Sequence, residues 1–264
     1  MNPLDFSREV AALTPHVVGV ALCGARLLPI AFLCPLLGGS ATPTTVKLSL
    51  VLALASFLHF SAAIGANLVV DDVLTFAMLA GKEITLGVVL GLISALPFDA
   101  ARIGGRFIDL FRGSSAEATL PWSNSKESAT GDVLYQLLIA MAAAGLALPI
   151  VLSAIFKSFA LVEIGAYVAT ESAAMQVATL VGTTFAVGLA VGAPVAGASL
   201  AVDALLGLIS RGSPQMNLQD TGAPMRILAG GAVAWLAIGV VMERLIAGVV
   251  DSELAISSVL VLAK

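Results

Sequence analysis

The sequence predicts an all-α protein of the polytopic membrane type, and three observations predict it. Of its 264 residues, 59% are hydrophobic and 11% are charged, against about 25% charged in soluble domains. Its mean hydropathy is +1.02. Its apolar residues stand in long unbroken runs instead of alternating with polar ones, which excludes both an ordinary water-soluble core and the short alternating segments of a β-barrel. Inside hydrocarbon every backbone group must be satisfied internally, so runs of this kind form helices.

Six runs approach the roughly 20 residues that cross a bilayer as a helix: 17–37, 48–70, 73–98, 133–156, 173–202 and 227–242. The segment before the first holds Asp5, Arg8 and Glu9 and has no small-residue cleavage site, so the first run is expected to stay in the mature protein. Pro29 and Pro35 in that run, Pro149 in the fourth and Gly192-Ala193-Pro194 in the fifth each invite a kink or a break. The fifth run exceeds one membrane thickness, and two helices joined near Pro194 are expected there. Small residues recur at four-residue spacing in two runs, as Gly87 and Gly91 and as Thr184, Gly188, Gly192 and Ala196. Such stripes let helix backbones approach closely, although glycine is also simply common in membrane helices.

Between the third and fourth runs, residues 99–132 form the longest polar stretch. It opens with an amphipathic pattern, Asp99, Arg102, Arg106 and Asp109 on one face and Ile103, Phe107 and Leu110 on another, and predicts a helix ending near Gly113. Ser114, Ser115 and Pro121 place a loop beyond it. Basic residues favour the side holding Lys47, Arg102, Arg106, Arg112, Lys126, Arg211 and Arg226 as cytoplasmic.

Ionisable groups inside apolar runs cost about 2.5 kcal/mol or more each on insertion scales, so Arg26, Lys82, Glu83 and Asp203 each need a reason. Lys82 and Glu83 are adjacent and point about 100° apart on a helix, so each is expected to find its partner on another helix or another subunit. A relay or ion pathway and a structural pair are both open for them; Arg26 and Asp203 read rather as structural or near-terminal charges. The chemistry of catalysis is missing. His16 and His59 stand alone, Cys23 and Cys34 read as apolar filler, and no nucleophile elbow, zinc motif or phosphate-binding loop is present. No enzymatic activity, cofactor or metal is expected, and the small net charge of -4 with singly spread basic residues gives no footprint for nucleic acid.

The most distinctive stretch follows the fifth run: Arg211-Gly212-Ser213-Pro214-Gln215-Met216-Asn217, then Gly222-Ala223-Pro224-Met225-Arg226. Taken with Asp203 and Leu206-Gly207-Leu208-Ile209 before it, this stretch resembles the signature of the export-gate family that includes FliR of the flagellum and SctT of type III secretion injectisomes. Upstream, Arg26 with Pro29 and Pro35, Pro43 ahead of Lys47, Lys82-Glu83 with Gly87 and Gly91, and Gly104-Gly105 with Asp109, Arg112 and Gly113 fall in the family's order. The resemblance covers residues 26–242 and is nearer the injectisome branch. It departs from the family's pattern at Ala144-Gly145-Leu146-Ala147 and at Leu120-Pro121-Trp122.

The resemblance implies one export-gate domain over residues 1–264 in the bacterial inner membrane. It would be a non-enzymatic subunit built with SctR- and SctS-like subunits, and an associated SctU-like protein, into a helical complex that passes unfolded polypeptides. By position, residues 107–121, with Phe107, Asp109, Arg112, Gly113, Ser114, Ser115 and Pro121, would form the lumen-closing loop. The turn at Arg211, Pro214, Gln215, Asn217, Gly222 and Pro224 would carry the family motif. A small-molecule secondary transporter is the alternative, although the two related halves expected of one are only faintly echoed by Pro29 and Pro194; an intramembrane enzyme is the third reading.

Overall fold

The computed structural model describes residues 3–38, 42–65, 70, 72–113, 117–118, 127–145, 147–167, 170–212 and 219–263. Seven helices carry them: α1 Pro3–Leu33, α2 Thr44–Ala62, α3 Val73–Arg112, α4 Ala129–Ala144, α5 Ala147–Leu161, α6 Glu171–Gly212 and α7 Gln219–Leu262. A single 3-10 turn spans Pro35–Leu37. Two two-residue strands, β1 Glu117–Ala118 and β2 Glu127–Ser128, pair antiparallel. Among the described residues five helices are long and apolar enough to cross a membrane, or six if α4 and α5, bent by 78°, count as one broken span. The chain is all-α and multi-pass, as its apolar runs predict.

Where the helices differ from the runs, proline and glycine give the reason. The fourth run breaks between Ala144 and Ala147, ahead of Pro149 and not at it. A proline ring clashes with the carbonyl four residues back, here that of Gly145, whose backbone is extended and caps α4 by donating its N–H to Met141 O at 3.0 Å. Pro149 then sits in the first turn of α5, where its missing N–H is no loss. The break expected at Pro194 does not occur: α6 is one helix of 42 residues with Pro194 inside it. The third run also continues without interruption through the amphipathic segment, making α3 40 residues long. It stops where the sequence predicts, because Gly113 turns left-handed at φ 65° and offers its N–H to Leu110 O.

Two compact units share these helices. The first comprises Met1–Ala95, Pro149–Ala178 and Ser252–Lys264, with Leu22, Ile30, Leu86, Leu90, Ile155 and Leu260 fully buried in it. The second comprises Leu96–Leu148 and Thr179–Asp251, around Phe98, Leu138 and Leu245.

Candidate functional site

In the first unit, glycine spacing on α3 sets the position of a charge. A Cβ added at Gly87 would lie 2.2 Å from the Arg26 carbonyl oxygen, and one at Gly91 would lie 3.1 Å from Ile30 Cα. The backbones of α1 and α3 therefore meet at distances only glycine permits. One turn before Gly87, this contact brings Glu83 against Arg26. Both side chains are completely buried, and Arg26 Nε donates to Glu83 Oε2 at 2.6 Å.

The remaining valences of the pair go to the end of α5. Arg26 Nη1 donates to Ser158 O and Nη2 to Val162 O, each at 3.0 Å, and the guanidinium lies 4.2 Å from the Phe159 ring centroid. A helix C-terminus leaves carbonyls without partners and carries partial negative charge, so a cation is stabilised there. Glu83 Oε1 accepts the Gly165 N–H at 2.7 Å, while the neighbouring Lys82 Nζ donates to Gly165 O at 3.2 Å. Two adjacent side chains that cannot serve each other thus hold the two ends of one glycine residue's backbone. Gly165 is at φ 80°, a conformation that favours glycine, and a Cβ there would push aside only the end of the Leu79 side chain.

Lys82 and Glu83 were expected to reach another helix or another subunit; within this chain they reach α1, α5 and the turn after it. Arg26, expected near a helix end, lies well inside α1. Ser158, Val162 and Gly165 escaped the sequence reading because backbone carbonyls and amides carry no sequence signal. A second correction concerns the two histidines, which stand apart in sequence and come together here. His16 Nδ1 lies 3.0 Å from His59 Nε2, and His59 Nδ1 lies 2.9 Å from Ile64 O. The carbonyl fixes a proton on His59 Nδ1, so His59 Nε2 accepts and His16 Nδ1 donates when both rings are neutral. Among the described residues no group of three or more His, Cys, Asp or Glu could hold a metal ion.

In the second unit the polar face of α3 turns one residue inward: Asp109 is buried, while Arg106 of the same face is exposed. Asp109 accepts from Ser128 Oγ at 2.5 Å, from the Thr130 N–H at 3.0 Å and from Thr130 Oγ1 at 2.5 Å. Ser128 caps α4 by accepting the Gly131 N–H at 3.1 Å. Asp109 therefore places a negative charge at the positive end of α4. It also pins together the two ends of the segment between Gly113 and Glu127. Ser128 and Thr130 ahead of an apolar run form an N-cap signal that the sequence does contain. Close to this contact, Arg102 stacks on the Tyr135 ring, 3.8 Å from its centroid.

From the apolar face of the same helical stretch, Ile103 and Phe107 meet α6, while Leu110 is exposed. A Cβ at Gly188 would lie 2.6 Å from Ile103 Cγ2, one at Gly192 2.6 Å from a Phe107 ring carbon, and one at Gly104 3.0 Å from Gly188 O. The glycine stripe of the fifth run thus packs against α3 of the same chain. Asp203 Oδ1 lies 3.0 Å from Arg226 Nε. The N–H is not aimed at the oxygen, since that nitrogen has no hydrogen-bond partner by geometry, and both side chains are more than a third exposed, so the ion pair contributes little. Gly222 and Pro224 lie in the first turns of α7 and Arg211 near the end of α6; Pro214, Gln215, Asn217, Ser114, Ser115 and Pro121 fall outside the described residues.

Taken together, these contacts define a multi-pass helical membrane protein whose deepest charges are spent on holding its own helices. Residues 17–250 match the family model described as "Bacterial export proteins, family 1", and the chain belongs to that family. It is 26% identical to the flagellar biosynthetic protein FliR of Bacillus subtilis over 197 residues, 73% of this chain and 75% of the relative. It is 25% identical to FliR of Caulobacter vibrioides over 219 residues, 81% and 86% of the two chains. Over a shorter stretch of 89 residues, 33% of this chain and 34% of the relative, it is 38% identical to the Yop proteins translocation protein T of Yersinia pestis. It is thus a multi-pass inner-membrane protein of the export-apparatus family, with relatives of both the flagellar and the Yop type.

Proposed function

We propose that this chain is a structural, non-enzymatic subunit of a type III secretion export gate of the injectisome branch. With SctR- and SctS-like subunits, and an associated SctU-like protein, it forms the channel through which unfolded proteins cross the inner membrane. The observation that carries the proposal is where the polar and apolar groups go. The buried Arg26–Glu83 pair is satisfied within the chain, leaving it no substrate-facing valence, while large apolar side chains stand outward along the helices. Leu236 is 82% exposed and Leu228 73%. Such a surface suits helix packing against lipid and neighbouring subunits. Residues 1–264 act as one export-gate domain in this reading, and the family match reaches across both compact units.

The lumen-closing element is the segment from Phe107 through Asp109, Arg112, Gly113, Ser114 and Ser115 to Pro121. Shortening residues 114–120 is expected to raise the ion conductance of the resting membrane while co-purification with SctR- and SctS-like subunits stays near the wild-type level. Unchanged conductance at normal assembly would remove the loop from the closure mechanism. Failure to co-purify with those subunits under any mild extraction would remove the gate assignment itself.

A further inference from the structure

Within the second unit, Arg112 is positioned by α7 and, among the described residues, left short of partners. A Cβ at Gly230 would come within 2.6 Å of Arg112 Cγ, and one at Gly231 within 3.5 Å of Nη2, so the arginine stem lies on a glycine pair that leaves room for it. Among the described residues, its hydrogen bonding amounts to a long 3.5 Å contact from Nη2 to Ile227 O, and its Nε is buried without a partner. The nearest carboxylate on its own helix, Asp109, is already engaged by Ser128 and Thr130. Arg112 also lies on the wall of a 300 Å³ cavity that continues along α7 past Gly231, Ala234, Trp235 and Ile238 to Val241. Those positions form one helical stripe rising about 15 Å.

We infer that this cavity is a binding site for an anionic phospholipid, with the phosphate on the Arg112 guanidinium and one acyl chain along the α7 stripe. The lining is that of an amphiphile's site, with the Arg112 cation and otherwise apolar walls apart from Thr130, whose hydroxyl is engaged by Asp109. Arg112 is the last residue of a membrane-spanning helix, and Trp235, 76% exposed, is a residue type that favours the headgroup level. The volume is too small for a partner helix, whose diameter alone is about 10 Å. A guanidinium binds phosphate through paired N–H donors, and basic pockets among membrane helices favour anionic headgroups.

The test is native mass spectrometry of the full chain released from micelles containing phosphatidylglycerol or phosphatidylcholine of identical acyl chains. The wild type is expected to retain at least about fivefold more of the anionic lipid. Arg112→Gln should bring the two lipids to parity, and Ala234→Phe, which fills the acyl slot and keeps the cation, should lower retention of both. Millimolar inorganic phosphate should displace nothing. Equal retention by the wild type, an unchanged preference in Arg112→Gln, unchanged retention in Ala234→Phe, or displacement by free phosphate would each overturn the assignment. Should Arg112→Gln fail to fold, the wild-type preference, Ala234→Phe and the phosphate arm decide it. A chain extracted with its partner subunits that carries no anionic lipid, its cavity filled by a partner's side chains, would also overturn it.

Discussion

An arginine and a glutamate buried together in a membrane helix bundle are costly to desolvate, and they persist only when their remaining hydrogen-bonding groups are satisfied. Arg26 and Glu83 meet that condition through Ser158, Val162 and Gly165. Removing one partner strands the other, so Arg26→Met or Glu83→Leu alone is expected to cost about 3–5 kcal/mol. The double variant Arg26→Met with Glu83→Leu should recover more than half of that loss in thermal unfolding in detergent; additive losses would contradict the pairing. A second residue-scale prediction concerns Cys34, which follows α1 and is fully buried. Burial keeps a water-borne reagent from its sulfur. Iodoacetamide should leave Cys34 unmodified in the folded protein at pH 8 and label it on unfolding. Rapid labelling of the folded protein at pH 8 would show that the thiol is not buried.

Between elements, close approach is set by glycine, and the glycines of one helix are not equivalent. In α3 a Cβ at Gly81 would meet nothing within 4 Å, whereas one at Gly87 would strike the backbone of α1. Gly81→Ala is therefore expected to be neutral or to stabilise by up to about 1 kcal/mol through helix propensity. Gly87→Ala should destabilise by about 1–3 kcal/mol through overpacking. Equal melting temperatures for the two variants would contradict the α1–α3 contact. The four-residue spacing of Gly87 with Gly91 and of Gly188 with Gly192 is visible in the sequence; which helix each stripe meets is not, because spacing encodes a face and not its neighbour. The same limit separates the expected break at Pro194 from the break found before Pro149. Only at Pro149 does the carbonyl that the ring would strike belong to a glycine free to leave the helix.

At the scale of the whole molecule, length and apolarity make the membrane character legible, and order of motifs makes the family legible. The candidate site was legible in half. Arg26, Lys82, Glu83 and Asp109 stand out as charges in apolar surroundings, but apart from the Arg26–Glu83 pair itself their hydrogen-bond partners among the described residues are backbone groups, which no composition marks, and the hydroxyls of Ser128 and Thr130. The consequence is a change in what those charges are for: Arg26 and Glu83 fix α1, α3 and α5 to one another, and the account gives them no part in conducting protons. One measurement tests this most directly, namely secretion by a strain lacking the native gene and complemented with the Arg26→Met/Glu83→Leu variant. The uncomplemented strain is expected to export nothing, and the charge-free variant, inserted at wild-type abundance, to restore export. Normal abundance of the variant with export abolished would contradict it.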